Sequence, residues 1–224
     1  MRLLITGILS LGLAGSAGAI DKANVDKRIR TLTAKFQEMQ SKPDKRVPAE
    51  KLRKAKGIIL LDRTKAGFIF AYQGGGGLAM VKDPKSGAWS PPELLSANEG
   101  SLGFQIGGQQ SFVVILLMNT NAIHMVTEST FDFGGEASGT AGSASGKAEG
   151  TIPADYDPLI QVYTDASGLY GGAAIKGGSV APDSDANIAY YGEYLTPEEI
   201  LFGKKGKPTE AATTLAEKLT QASK

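Results

Sequence analysis

Gly57-Ile58-Ile59-Leu60-Leu61 is the point at which the apolar period of this sequence changes. Before it, apolar side chains recur every three or four residues. From it onward they come in short runs, rich in β-branched and aromatic residues and bounded by Gly, Pro, Asp and Asn, which predicts strands. Such runs lie at 57–61, 66–72, 78–81, 102–109, 112–117, 131–135, 159–164, 169–175 and 188–191. Asp83-Pro84-Lys85-Ser86-Gly87 is a turn signal leading to the single Trp89, and 119–128 fits a short helix capped by Asn119 or Thr120. The stretch 136–150 is almost all Gly, Ser, Ala and Thr. It reads as a small-residue strand hairpin where backbones approach closely, with a flexible interdomain linker as the alternative.

Working outward toward the N-terminus, Val25, Ile29, Leu32, Phe36 and Met39 are spaced four, three, four and three apart. That spacing predicts an amphipathic helix over 21–40 with one apolar stripe. Its other faces carry Lys22, Lys27, Arg28, Arg30 and Lys35 against Asp21, Asp26 and Glu38. A second, short helix starts at Pro48-Ala49-Glu50 and carries Lys51, Arg53, Lys54 and Lys56. Ahead of both, Met1-Arg2, an apolar run over 3–13 and a small-residue ending at Ala19 have the pattern of a cleaved secretory signal peptide. Cleavage there would remove Arg2 and leave acidic and basic residues equal in number. Toward the C-terminus, Thr196-Pro197-Glu198-Glu199 starts a helix with Thr as cap, and a last helix runs from Thr209 with Leu215 and Leu219 on one face.

Composition excludes several classes of function. The 224 residues include 29 Gly, no Cys, one His and one Trp, with a net charge of +1. Without cysteine there is no disulfide framework, iron–sulfur cluster, thiolate zinc site or thiol nucleophile, and one histidine forbids a multi-histidine metal centre. Near-neutral charge argues against a general nucleic-acid binder. Gly74-x-Gly76-x-x-Ala79 matches a dinucleotide fingerprint only formally, because the motif needs a helix next and 78–81 reads as strand. Gly142 to Gly146 lacks a serine at its centre, where Ala144 stands, so it is not a nucleophile elbow, and a serine triad would have to use His124, which reads as a helix-packed, hydrogen-bonded residue. Asp183-x-Asp185-x-Asn187 lacks the Gly and Glu of a calcium loop and reads as a turn. No metal or cofactor is expected.

Taken in order, the segments 48–59 (PAEKLRKAKGII), 65–77 (KAGFIFAYQGGGG), 87–91 (GAWSP), 103–108 (GFQIGG), 112–119 (FVVILLMN), 168–172 (GLYGG), 187–192 (NIAYYG) and 196–203 (TPEEILFG) resemble the SYLF lipid-binding domain family. The family also occurs in yeast and animal actin-patch proteins and in many bacterial exported proteins. The resemblance implies a non-enzymatic β-rich domain with flanking helices that binds phospholipid through its N-terminal amphipathic helix and nearby basic residues. Carried onto this chain, the implied lipid-binding residues are Ile29, Leu32, Phe36, Lys51, Arg53, Lys54 and Lys56.

The expectation is therefore an α+β protein, an antiparallel twisted sheet or partly closed β-barrel with flanking N- and C-terminal helices. The divisions expected are a signal peptide over 1–19, a SYLF-like domain over 20–203 and a helical tail over 204–224. The expected partner is an anionic phospholipid membrane surface, phosphatidylglycerol or cardiolipin, met after export to the periplasm or beyond, with no nucleic acid. The alternatives are an envelope assembly protein that recognises another protein or a glycan, and a hydrolase built on His124. The stripe of the first helix suits a membrane interface or the protein's own sheet equally well.

Overall fold

The computed structural model describes residues 20–64, 75–98, 110–133, 140–142, 159–167 and 178–224. The readings made above for 1–19, 66–72, 102–109, 169–175 and most of 136–150 lie outside the described residues. Helix α1 (Lys22–Ser41) is capped by Asp21, whose carboxylate accepts from the Asn24 N–H at 2.7 Å. It is followed by α2 (Ala49–Lys54), β1 (Gly57–Thr64), β2 (Gly75–Val81), β3 (Glu93–Asn98), β4 (Gln110–Leu117), α3 (Thr120–Met125), β5 (Phe131–Phe133), β6 (Thr140–Gly142), β7 (Ile160–Ser167), β8 (Gly178–Pro182), α4 (Ser184–Tyr191), α5 (Pro197–Leu201) and α6 (Glu210–Ala222).

The strands form one sheet in the order β5-β8-β3-β2-β1-β4-β7-β6, antiparallel at every junction except the short β6 against β7. The fold is α+β with an antiparallel sheet flanked by helices from both ends of the chain, as expected. The unbroken apolar runs of β1 and β4 have a direct cause, because the sheet is covered on both faces. Ile58, Leu60, Leu78, Met80, Val114 and Leu116 pack with residues of α1, α2, α4 and α6. The alternate set, Ile59, Leu61, Ala79, Val113, Ile115 and Leu117, packs with residues of α3, α5 and Leu195. Side chains alternate across a strand, so a strand buried on both sides must be apolar at consecutive positions.

One expectation needs correction, and two further features add to the reading. Residues 188–191, read as a strand, are the second half of α4: Asp183 caps it by accepting from the Ala186 N–H at 3.1 Å, and Gly192 ends it at φ +80°. Asp183 and Asn187 therefore serve a helix rather than a turn. Strand β3, which opens on Pro-Pro-Glu and has weak strand propensity, was not anticipated; it exists because it pairs with β2 on one side and β8 on the other. The segment expected as a tail places Ala211, Ala212, Leu215 and Leu219 in the same core as α1.

The glycine run before Leu78 is explained by what crosses it. The Arg28 guanidinium, reaching from α1, donates to Asp183 Oδ2 at 2.9 Å, to the Gly77 carbonyl at 2.8 Å and to the Leu95 carbonyl, tying α1 to β2, β3 and the N-terminus of α4. A Cβ on Gly76 would sit 2.4 Å from Arg28 Nε, and one on Gly77 would sit 2.5 Å from the Leu60 carbonyl oxygen. The latter neighbour is backbone and cannot step aside. Gly77→Ala is expected to lower stability by about 1–3 kcal/mol, the usual cost of overpacking, measured by urea denaturation. A loss within error would mean that β1 and β2 can part at no cost.

Candidate functional site

Helix α2 is one and a half turns long and turns only Leu52 and the following Ala55 fully inward. Arg53 and Lys54 are exposed, Lys51 is half-buried, and Lys56 just beyond the helix is exposed. The chain entering α2 is held by Gln40, whose amide accepts from the Val47 N–H at 2.7 Å and donates to the Val47 carbonyl at 3.2 Å. Lys54 pairs with Glu50 at 2.7 Å one turn back, and this bond holds the Glu50 carboxyl below its usual range. That pair is fully exposed and adds little stability.

A fifth cation joins these four. Lys82, just after β2, donates through Nζ to the Leu52 carbonyl at 2.6 Å and the Arg53 carbonyl at 3.3 Å, in the last turn of α2 at its negative end. Its ammonium also lies 4.9 Å from the centre of the Trp89 ring, over its face. Burial, and then the charge of Lys56, lower the Lys82 pKa. Arg53 reaches the Ser223 carbonyl at the end of α6 at 3.5 Å. Between α6 and the β2–β3 connection runs a groove of about 670 Å³ walled by Met80, Trp89, Ala212 and Ala216, with Lys224 at its border. The site is thus a basic rim, Lys51, Arg53, Lys54, Lys56 and Lys82, beside a shallow apolar groove with a tryptophan in its wall. At the other side of the turn, Lys204 hydrogen-bonds Asp83 and holds its carboxyl well below the usual carboxylate range.

The predicted basic residues are therefore brought together, but the predicted apolar ones are not part of this surface. Ile29, Leu32 and Phe36 are each 0–1% exposed and packed in the core between α1, the sheet and α6. This corrects their assignment as lipid-contacting residues: in the folded chain the stripe is spent on the protein's own sheet. Of the bases on α1, Arg28 and Lys35 are engaged in ion pairs with Asp183 and Asp62, and Lys42, just beyond the helix, pairs with Asp165. Lys82 and Trp89 were missed as site residues, although the turn at 83–87 carried the signal, since it closes a bridge that sets Lys82 opposite Trp89. The His124 imidazole is exposed on α3 and lies 5.0 Å from the Phe202 ring, rather than packed inside the helix.

A family model for Ysc84, described as a Las17-binding protein actin regulator, matches residues 98–222, from the last residue of β3 to the last of α6. The chain belongs to the Ysc84 (SYLF) family. SH3 domain-containing YSC84-like protein 1 of Homo sapiens is 28% identical over 188 residues, 83% of this chain and 55% of that protein. The same protein of Xenopus laevis is 30% identical over 171 residues, 75% of this chain and 51% of the relative. LAS seventeen-binding protein 3 of Saccharomyces cerevisiae is 29% identical over 168 residues, 74% of this chain and 36% of the relative. The chain thus spans about half the length, or less, of these relatives. The family model's description speaks of binding and regulation, and the yeast relative's name of binding. Within the SYLF frame, α6, which forms one wall of the groove, lies in the matched region, whereas α2, Lys82 and Trp89 precede it.

Proposed function

We propose that this SYLF protein binds anionic phospholipid reversibly and without catalysis, at the surface of an envelope membrane reached by export. The observation that carries the reading is the convergence of Lys51, Arg53, Lys54 and Lys56 with Lys82 and Trp89 on one rim. Each Lys or Arg near an anionic bilayer contributes about 1 kcal/mol, so with Lys54 offset by Glu50 the other four supply about 4 kcal/mol, enough for reversible and salt-sensitive association. A tryptophan at the edge of an apolar groove suits the headgroup level, where one side is apolar and the other wet. The signal-like segment at 1–19 supports export, and phosphatidylglycerol or cardiolipin would be the available anions. No helix among the described residues is long and apolar enough to cross a membrane.

Co-sedimentation of the purified protein with vesicles tests this reading. Pelleting with phosphatidylglycerol vesicles, none with phosphatidylcholine, and release by high salt are expected. Replacing Lys51, Arg53, Lys54 and Lys56 together by Glu should abolish pelleting at low salt while leaving the fold intact, because none of the four is fully buried. Equal pelleting with neutral and anionic vesicles, or none with either, would refute it. The name of the yeast relative favours a second reading, recognition of another protein. Crosslinking that recovers a stoichiometric protein partner while vesicles stay unbound would select it.

A further inference from the structure

Glu93 opens β3 and is fully buried, and among the described residues neither carboxylate oxygen has a hydrogen-bond partner. Its strand neighbours do not need an acid there. Leu94 is held through its backbone, donating to Asn187 Oδ1 at 2.9 Å and accepting from Asn187 Nδ2 at 3.1 Å, and Leu95 is plain core. A buried acid without a partner costs free energy in either protonation state, and a Leu or Met would close the same space without that cost. Glu93 lines a cavity of about 380 Å³, within the range of small-ligand sites, bounded by the end of α3, the start of α4 and the loop into α5. Thr127, Ser129 and Ser184 bring hydroxyls to its wall, and Tyr194, two-thirds exposed, stands at the rim. Glu198 on α5 adds a second negative charge that acts on Glu93.

We propose that this cavity is a binding site for a small primary ammonium group, with Glu93 as its counter-ion, Tyr194 as the aromatic face at the entrance and the three hydroxyls as acceptors for the remaining N–H bonds. Engaging such a ligand requires the Glu93 carboxylate, buried in the wall, to turn toward the cavity. An ammonium ion is the chemistry that satisfies all three features, because it neutralises the acid, donates up to three hydrogen bonds and is attracted by a tyrosine face. Two sources share this chemistry, a free alkylamine and the ethanolamine headgroup of a phospholipid. The site is separate from the basic rim, and its test is independent of anionic lipid binding.

The groups facing Glu93 are Glu198 from α5 and Tyr191 from α4, whose hydroxyl donates to the Pro92 carbonyl at 2.6 Å. Neither can neutralise it, so ligand entry converts a protonated acid into an ion pair and releases a proton. Calorimetric titration at neutral to mildly basic pH with propylammonium, ethanolammonium and, as the uncharged control, 1-propanol is the experiment. Saturable heats with both ammonium ions, none with propanol, and a heat that varies with buffer ionisation enthalpy are expected. Glu93→Gln should weaken binding by at least about tenfold and Tyr194→Phe should retain it, as an aromatic face requires. Should the Gln variant fail to fold, amide shifts of Thr127, Ser129, Ser184 and Tyr194 in the wild-type protein on adding propylammonium decide the matter. Added binding to phosphatidylcholine vesicles doped with phosphatidylethanolamine would assign the lipid source, and unchanged vesicle binding would assign the free amine. No saturable ammonium binding by the wild type, undisturbed amides, or equal binding by Glu93→Gln would overturn the proposal.

Discussion

Phe36→Ala should cost the fold about 3–5 kcal/mol and leave the vesicle affinity of the folded molecules unchanged. Phe36 is 1% exposed and sits in the cluster that joins α1 to Leu60, Leu78, Val114 and the α6 residues Leu215 and Leu219. Truncation removes the buried ring and leaves a void between a helix and a sheet that are each braced elsewhere, α1 by Arg28 and the sheet by its ladders. The site has little freedom to collapse, so the cost belongs at the upper part of the range for aromatic truncations. Urea denaturation measures the loss, and co-sedimentation below the transition measures binding. The opposite pattern, a stability change under about 1 kcal/mol with vesicle binding gone, would put the stripe of α1 back on the membrane. The contrast with the charge reversal of α2 is the useful one, since there binding falls and stability holds.

That prediction marks the limit of what was legible beforehand. The spacing of Val25, Ile29, Leu32, Phe36 and Met39 located α1 to within a residue at each end, but an apolar stripe has the same period whether it covers a sheet or lies on a bilayer. Only the tertiary partners decide, and these come from β1, β2, β4 and α6, far away in the chain. Signals carried by adjacent residues survived well: the Thr196–Glu199 capping box forms in both directions, and Asn119 caps α3 by accepting from the Ala122 N–H. Signals that rested on propensity alone did not. The run Asn187-Ile188-Ala189-Tyr190-Tyr191 favours strand by residue type, yet Asp183 before it and Gly192 after it are helix delimiters, and the helix won because Tyr190 and Ala186 then share one buried face. Strand β3 is the converse, a poor strand former held in place by two neighbours. The three bases of α2 and Lys56 beyond it could be read from the sequence, but Lys82 completes the rim through a contact thirty residues away, which no local pattern encodes.

Wild-type stability should fall as pH rises from about 5 to about 8, and Glu93→Gln should remove that fall. Burial, and then Glu198, push the Glu93 carboxyl from its ordinary 4.5 up to about 8. Below 4.5 the group is protonated in the folded and unfolded chains alike, and its protonated, buried form weighs equally at every such pH. Between 4.5 and 8 the unfolded chain releases the proton while the folded chain keeps it, so unfolding gains up to about 1.4 kcal/mol per pH unit. Above 8 both states are ionised and the loss is complete, a total on the order of several kcal/mol. The carboxyls with lowered pKa, Asp83, Glu50 and Glu199, act in the opposite sense, but they titrate in the acid range, below the window in which Glu93 changes. Glutamine keeps the shape and cannot ionise. The variant should therefore match the wild type near pH 5 and exceed it by several kcal/mol near pH 8, measured by urea denaturation at both values. A difference between the two proteins that is the same at both pH values would show that Glu93 ionises freely in the folded state. In that event the carboxylate would already be reaching solvent, and the cavity it lines is the route that the described residues offer.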